Sequence, residues 1–554
     1  MRVDLVWIQT VRRSPPVWEL GETYRCDMQP ALVAAAVAER LPGAEFVLFW
    51  DDALGNPDET TVAAVAESIG DVWHAGLALG MGGLPSMIDY VDPVWRFNRD
   101  PDPAVVASAR PTSWRLSLRA CLARAAVLDR LGGPDSHFDT LAGASLELGH
   151  RWIRRGALMR HAVELLPSVP ASAVPVVTLN DEIRFLRLGY GRMWTAWACW
   201  RRRRHGRSTA ETWRAFRRSQ PPGAAAPAAS LHPAETAEPP AGNVDWPTVS
   251  VLIPTLDRYP HLFNLLEQLR DQTIRPLEIV VIDQTAPEAH DSEWPSRFAD
   301  LPLRVIRREQ PGQCSSRNAG LETVRGETVL FLDDDDEVQP GLIWQHLAFL
   351  TRFAADASCG VAEEVGAGPL PSAFTLIRDS DVFPTNNTLL KTAALTGSGL
   401  FDLAYERGER ADHDLGTRLY LSGANLVLNP AASVVHLHAP RGGLRRHKAR
   451  VVTRSSSRAS VRERQFLAPT EGYLWQRYFT PEQVKEALLI RTVGALRGSG
   501  SRGRRLLRAV LMAVMLPDTW RQNRARLAQG RAMMNEFPVI PEYAPGHIEE
   551  LWTA

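Results

Sequence analysis

Residues 328–338 read TVLFLDDDDEV. An apolar, β-branched run leads straight into a cluster of carboxylates. A buried strand that stops at such a cluster is how an open α/β sheet presents charge at its ligand-binding edge. Asp333 and Asp335 stand two apart at the strand end, where both can reach a divalent cation and the phosphates it carries. Hard oxygen ligands of this kind suit Mg²⁺ or Mn²⁺. The same letters also describe a solvated acidic turn, so the neighbouring segments decide.

Upstream, 249–254 (VSVLIP) and 277–282 (LEIVVI) read as buried strands, the second ending at Asp283. An amphipathic helix is expected over 260–272, a third strand over 303–307, and a helix over 315–324 before the strand at 328–332. Strand and helix alternating at this spacing predict βαβ units and a parallel sheet. Ligands gather at the carboxyl ends of such strands, where Thr255, Asp257, Asp283 and Asp333 all fall. Downstream, 412–423 (DHDLGTRLYLSG) reads as a helix with acids in its first turn and Gly past its end. Short strands follow at 426–428 and 433–438, the latter carrying His436 and His438.

Residues 1–165 read as a smaller mixed α/β domain, with strands at 3–8 and 45–50 and helices at 31–41 and 145–156. Residues 166–219 form a helical connector. There Trp194, Trp197 and Trp200 recur three apart before a run of arginines. Such a stripe suits a membrane surface or a neighbouring domain, and packing on a domain is the favoured reading. Residues 220–243 are Pro/Ala-rich and read as a linker. The main domain spans 244–440, and a basic, helical C-terminal region spans 441–554. In that region Thr480-Pro481-Glu482-Gln483 is a helix start. The apolar stretch 509–516 is too short to span a bilayer. With Arg502, Arg504, Arg505 and Arg508 beside it, it fits either a bilayer surface or a docked helix.

The 554 residues suffice for two or three cores. Lys+Arg and Asp+Glu balance at 63 each, which gives no global bias toward nucleic acid. Three of the cations are Lys and the other 60 are Arg, a bias more in keeping with a GC-rich genome than with a mechanism. Five scattered Cys with no C-x-x-C pair argue against a disulfide framework or a zinc site. No signal-like N-terminus and no run of about 20 apolar residues is present, so a cytoplasmic location is expected, at the inner membrane face if the C-terminal helices contact lipid.

Six segments, VSVLIPTLDR (249–258), EIVVID (278–283), SSRNAG (315–320), VLFLDDDDEV (329–338), ADHDLGTRLYLSG (411–423) and NPAASVVH (429–436), occur in an order that resembles family 2 glycosyltransferases. The resemblance covers about 248–440 and implies a GT-A-type fold: a mixed, mostly parallel sheet flanked by helices. It implies inverting transfer from a nucleotide-diphosphate sugar to an acceptor hydroxyl on a glycan or lipid-linked molecule, as in cell-surface polysaccharide synthesis. Pro254, Thr255 and Asp257 would then line the nucleotide pocket. Asp283 would bond the base, Arg317 would lie near base or diphosphate, and Asp333 would face the ribose. Asp335 would hold Mn²⁺ or Mg²⁺, with His436 able to join it, and Asp412 would be the catalytic base. Ala411 stands where the family often has Glu, so Asp414 is kept in reserve. Gln284-Thr285 replaces the usual Gly-Ser after Asp283, and His438 competes with His436. A non-catalytic carbohydrate-binding or scaffold protein descended from such an enzyme is the alternative. A homo-oligomer is compatible with either.

The two halves also share a pattern. FVLFWDDAL (46–54) matches TVLFLDDDD (328–336), LGGPDSHFD (131–139) resembles LTGSGLFD (395–402), and SLELGHRWIRRGA (145–157) matches DHDLGTRLYLSGA (412–424). Asp51 then falls at Asp333, Ala53 at Asp335 and Ser145 at Asp412. The first half reads as a truncated, degenerate copy that lacks the strand carrying Pro254 and Asp283 and no longer catalyses. Packing, dimerisation or acceptor binding are the roles open to it.

Overall fold

The computed structural model describes residues 1–40, 42–170, 174–204, 209–219, 231–232, 245–366, 368–437 and 461–544. His438 and most of the 220–243 stretch lie outside them.

Two sheets organise the chain. The smaller holds β1 (Val3–Gln9), β2 (Thr23–Asp27), β3 (Phe46–Asp51), β4 (Val72–His74), β5 (Ala120–Arg124) and β6 (Met159–His161), in the order β2-β1-β3-β5-β4-β6. Its main helices are α1 (Pro30–Ala38), α2 (Glu59–Glu67), α3 (Pro103–Ser108), α4 (Ala125–Leu131) and α5 (Leu141–Arg154). Two further helices, α6 (Leu179–Arg204) and α7 (Thr209–Arg218), follow. α6 breaks at Gly191, whose φ of 78° lies in a region open mainly to glycine.

The larger sheet has β7 (Val249–Thr255), β8 (Glu278–Asp283), β9 (Leu303–Arg307), β10 (Thr328–Phe331), β11 (Asp336–Val338), β12 (Ala357–Glu364), β13 (Arg378–Asp379), β14 (Thr388–Lys391) and β15 (Leu426–His436). Its path runs β11-β15-β12-β14-β10-β7-β8-β9, with β13 on β15. The run β10-β7-β8-β9 is parallel throughout, and antiparallel pairs enter beyond it. The expected short strands at 426–428 and 433–438 are one strand, β15. α8 (Tyr259–Arg270), α9 (Gln313–Leu321), α10 (Leu342–Arg352), α11 (Leu395–Ser398) and α12 (Ala411–Leu421) pack around the sheet. Four helices close the described chain: α13 (Pro469–Tyr478), α14 (Pro481–Gly494), α15 (Arg502–Val514) and α16 (Leu516–Glu536). α14 begins with the expected capping box, Thr480 and Gln483 each bonding the other's backbone.

The two sheets repeat one topology. The order β2-β1-β3-β5-β4-β6 reappears as β8-β7-β10-β14-β12-β15, and every pairing keeps its parallel or antiparallel sense. Register agrees too: Val3 faces Phe46 as Val249 faces Thr328, and Gln9 faces Asp27 as Thr255 faces Asp283. Asp71 accepts from the Leu158 N–H as Asp356 accepts from the Asn425 N–H. In α5 Arg151 pairs with Glu147 at 2.8 Å, and in α12 Arg418 pairs with Asp414 at 2.7 Å. Both arginines also bond the last carbonyl of the preceding helix, Leu131 or Ser398.

This corrects one expectation. The first half does not lack the strand that would carry Pro254 and Asp283; β1 and β2 stand there, with Ile8 and Asp27 at those positions. β2 is an edge strand, half exposed, so TYRCD carries no continuous apolar run for a sequence pattern to reveal. What has no counterpart among the described residues is α8 and the strands β9, β11 and β13. In place of α8, the chain after β1 folds onto Asp52, which accepts from the backbone N–H groups of Thr10, Val11 and Arg13.

The halves meet through buried polar contacts. Arg160 of β6 pairs with Asp379 of β13 at 2.8 Å, both almost wholly buried, and Asp379 also accepts from the Met159 N–H. Trp95 Nε1 donates to Asp381, and Tyr420 on α12 donates to the Arg99 carbonyl. Within the stretch read as a linker, Leu231 is buried and His232 bonds Asp71 at 2.8 Å. Trp194 and Trp197 pack on the first domain's core, as favoured, while Trp200 stays 41% exposed.

Candidate active site

The carboxylates that follow β10 are sorted by burial. Asp334, Asp335 and Asp336 are buried, whereas Asp333 is half-buried. Asp334 points inward, accepting from the Thr255 hydroxyl at 2.8 Å and from Arg258 at 3.0 Å. Burial raises its carboxyl to about 6, with Arg258 opposing part of the shift. Asp336 accepts from the Asp333 N–H and bonds His436 Nδ1 at 2.9 Å. Burial raises Asp336. Burial works against protonated His436, but its bond to Asp336 and the charges of Asp336, Asp333 and Asp335 outweigh that and raise it.

β15 runs antiparallel to β11, with His436 directly opposite Asp336. This brings His436 to the acids although a hundred residues separate them. Ligand atoms of Asp333, Asp335 and His436 lie within 4.8 Å of one another. Two carboxylate oxygens and one imidazole nitrogen at that spacing fit a divalent cation of the Mn²⁺ or Mg²⁺ type that keeps further positions for phosphate or water. The bond between Asp336 and Nδ1 orients the His436 ring beside the acids.

Around this cluster, Arg317 of α9 reaches Asp333 at 2.7 Å and Arg258 stands 3.3 Å from Asp335. Asp283 is buried at the end of β8 and accepts from Tyr259 Oη at 2.7 Å and from the Thr285 N–H. Asp257 has φ 56° and accepts from the Ala286 N–H, tying the β7 and β8 ends together. Pro254 pairs with Ile282 across those strands, one residue before Thr255 faces Asp283. These residues therefore share one sheet edge. Asp283 and Asp257 are held by protein groups there.

Asp412 lies in the first turn of α12 with its side chain 37% exposed, and His413 Nδ1 sits 3.0 Å from it. Burial pushes its carboxyl up, but His413 and Arg410 outweigh that and hold it well below the ordinary range. Asp414 differs: it is fully buried, paired with Arg418, and accepts from the Tyr405 and Tyr478 hydroxyls. That carboxylate is committed to the core, whereas Asp412 is the more exposed of the two.

Several site residues left no signal in the sequence. Glu406 accepts from the N–H groups of Cys314 and Ser315 at the α9 N-terminus, where the helix dipole favours an anion. It pins the segment before α12 to the helix that carries Arg317. Arg96, from the first domain, is 5% exposed with Nε and Nη1 unpartnered, and Asp381 and Asp412 are among the charges it feels. A Cβ on Gly416 of α12 would meet its guanidinium at 2.5 Å, so glycine there makes room for it. Arg258 had a traceable signal, since it closes the VSVLIPTLDR segment.

The model of the glycosyl transferase family 2 matches residues 250–396. An uncharacterized glycosyltransferase, YwdF, of Bacillus subtilis is 36% identical over 98 residues, 17% of this chain and 35% of that protein. The GalNAc(5)-diNAcBac-PP-undecaprenol beta-1,3-glucosyltransferase of Campylobacter jejuni is 30% identical over 100 residues, 18% of this chain and 32% of its own. The chain thus spans about a third of the length of the curated relatives it matches. Among solved structures, the mannosyltransferase PcManGT of Pyrobaculum calidifontis with GDP-Man and Mn²⁺ aligns at TM-score 0.32 and 20% identity, covering 53% of this chain and 88% of that one. Staphylococcus aureus TarS 1-349 with UDP-GlcNAc aligns at TM-score 0.32 and 18% identity, covering 48% and 71%. The larger sheet and its helices form a GT-A-type fold, and residues 250–396 within it are similar to glycosyl transferase family 2.

Proposed function

We propose that the chain transfers a sugar from a nucleotide-diphosphate sugar to an acceptor hydroxyl with inversion at the anomeric carbon. The observation that carries this reading is the convergence of Asp333, Asp335 and His436 at the carboxyl end of β10. Asp335 and His436 would hold Mn²⁺ or Mg²⁺, with Asp333 beside them toward the ribose. When bound, the ion would supply Lewis-acid stabilisation of charge on the leaving diphosphate. Pro254, Thr255, Asp257 and Asp283 would form the nucleoside pocket, and Arg317 would lie close to the base or diphosphate.

Asp412 takes the proton of the acceptor hydroxyl. The acceptor oxygen forms a bond to the anomeric carbon as the bond to the diphosphate oxygen breaks, and the electron pair leaves on the nucleoside diphosphate. One attack on the face opposite the leaving group inverts the centre. A single catalytic carboxylate therefore suffices, unlike the pair used in glycoside hydrolysis.

The first domain is a glycosyltransferase-like duplicate without transfer chemistry. Ala53 and Ser145 stand where Asp335 and Asp412 stand in the second, and residues 10–13 sit on Asp52 where a donor pocket would open. Its work is structural, carried by contacts such as Arg160–Asp379. Acceptors are glycans or lipid-linked molecules of the cell-surface class, and the name of the Campylobacter relative puts lipid-linked acceptors first to test.

The test is thermal shift with UDP-, dTDP- and GDP-sugars, with and without Mn²⁺, on wild type and Asp335→Ala. A ligand at a hundred times its Kd adds about 2.7 kcal/mol to the native state. Stabilisation by one nucleotide, dependent on metal and lost in the variant, supports the reading. No shift with any donor sinks it and leaves a non-catalytic glycan binder.

A further inference from the structure

Helix α15 (RGRRLLRAVLMAV) is docked with its polarity reversed. It rests on the protein through Arg508, Ala509 and Met512. Opposite them, Leu506, Leu507, Val510, Leu511 and Val514 are 67%, 54%, 56%, 36% and 78% exposed. At 3.6 residues per turn these five share one arc of about 140°. A helix that merely completes a soluble core buries such a stripe. Single exposed leucines need no explanation; a contiguous face on one helix does.

The charges are as telling. α15 has four arginines, at 502, 504, 505 and 508, and no acid. All lie in its first two turns, the end where the helix dipole disfavours cations. Helix stability therefore does not account for the exposed Arg502, Arg504 and Arg505, whereas an external anionic surface does; Arg508 is buried and donates to the Arg497 carbonyl. Arg502 and Arg504 are exposed and flank the apolar arc on either side. A second copy docked on this face would bring like charges together.

The apolar surface continues past the helix. A pocket of about 300 Å³ opens between α6 and the end of α14, lined by Met193, Trp194, Trp197, Ile490 and Val493. Met193 is 59% exposed at its edge. Trp200, 41% exposed, lies against Trp197 at 5.1 Å between ring centroids, the rings tilted by 43°. Amphipathic Trp and Arg side chains around an apolar stripe are suited to the boundary between headgroups and acyl chains. Among the described residues no helix is long and apolar enough to cross a membrane, so the contact is interfacial.

We propose that α15, with the Trp194–Trp200 edge of α6 beside it, seats the protein on the surface of an anionic bilayer. Leu506, Leu507, Val510, Leu511 and Val514 enter the acyl boundary, and Arg502 and Arg504 meet phosphate headgroups.

The experiment is co-sedimentation of the full chain with phosphatidylcholine vesicles, with and without phosphatidylglycerol, at low and high salt. It needs neither donor nor acceptor, so it stands apart from the transfer reading. Wild type is expected to pellet with the anionic vesicles and to be released by salt. Leu507→Glu/Val510→Glu/Val514→Glu changes only exposed positions and is expected to stay in solution with an unchanged melting temperature. Arg502→Ala/Arg504→Ala is expected to bind anionic vesicles about tenfold more weakly or worse. Wild type that pellets with neither vesicle, or a triple variant that pellets like wild type, overturns the proposal. So does a wild-type dimer by light scattering that the triple variant converts to monomer without any vesicle binding, because a second copy then covers the face.

Discussion

Arg410 Nη2 stands 3.0 Å from Glu471 Oε1, and the other oxygen of Glu471 is taken by Arg491. Arg410 is the residue immediately before α12, in a left-handed conformation (φ 88°), and Arg491 lines the apolar pocket beside α6. One buried carboxylate thus couples the turn that presents Asp412 to the C-terminal helices. The left-handed φ is costly for arginine, and its side chain there is anchored by Glu471 and contacts His413.

The two acids of α12 are expected to fail in different ways. Asp412→Asn should fold normally, keep donor binding, and lose about a hundredfold to ten-thousandfold in turnover. Asp414→Asn should lose stability, because Arg418 would be left buried without its charge partner. Parallel turnover and melting measurements separate them. If Asp412→Asn retains full turnover, Asp412 is not the base.

The contribution of His74 and His346 to stability is expected to fall as pH drops from about 6.5 toward 4, opposite in sign to that of Asp334, whose raised carboxyl gains its proton first in the native state. Burial lowers His74 and His346 to about 4, and both are fully buried. Their native pKa lies below the unfolded value of about 6.5, so in this window the unfolded chain binds more protons. Each contributes up to about 1.4 kcal/mol per pH unit, lost as pH falls and exhausted below the native pKa. Urea unfolding from pH 7 to pH 4 checks this. His346→Gln, which keeps a polar partner for Ser358 and Asn387, should flatten the slope.

The turn that residues 10–13 make onto Asp52 can be tested directly. Asp52→Ala orphans three backbone N–H groups, and bonds to a charged acceptor contribute about 1.5–3 kcal/mol each. A loss of at least about 3 kcal/mol in stability is expected, with no change in the thermal shift produced by donor. A variant that loses donor binding while staying fully folded would instead place part of the donor site in the first half.

The joint between the sheets should be the costliest single deletion. Asp379→Ala leaves Arg160 buried and unpaired, at a cost of about 3–5 kcal/mol. Arg160→Met/Asp379→Leu removes both charges and is expected to recover much of that loss. Chemical unfolding of the three proteins decides it; an Asp379→Ala protein as stable as wild type would show the halves to be held elsewhere.

The sequence by itself determined the strands, because VSVLIP, EIVVID and TVLFL are apolar runs whose identity no tertiary context can change. It also placed Asp283 and Asp333 at strand ends, and it announced the internal repeat through FVLFWDDAL and SLELGHRWIRRGA. Tertiary structure decided the rest. β2 became visible only as an edge strand whose register puts Asp27 at the place of Asp283. His436 joins Asp335 because β15 pairs antiparallel with β11, a contact a hundred residues apart that no local pattern encodes. Asp412 and Asp414 are two letters apart and look alike in sequence; packing alone buried one against Arg418, Tyr405 and Tyr478 and left the other open. The face of α15 was likewise undecided, since periodicity shows that a helix has an apolar side but not which side its neighbours cover.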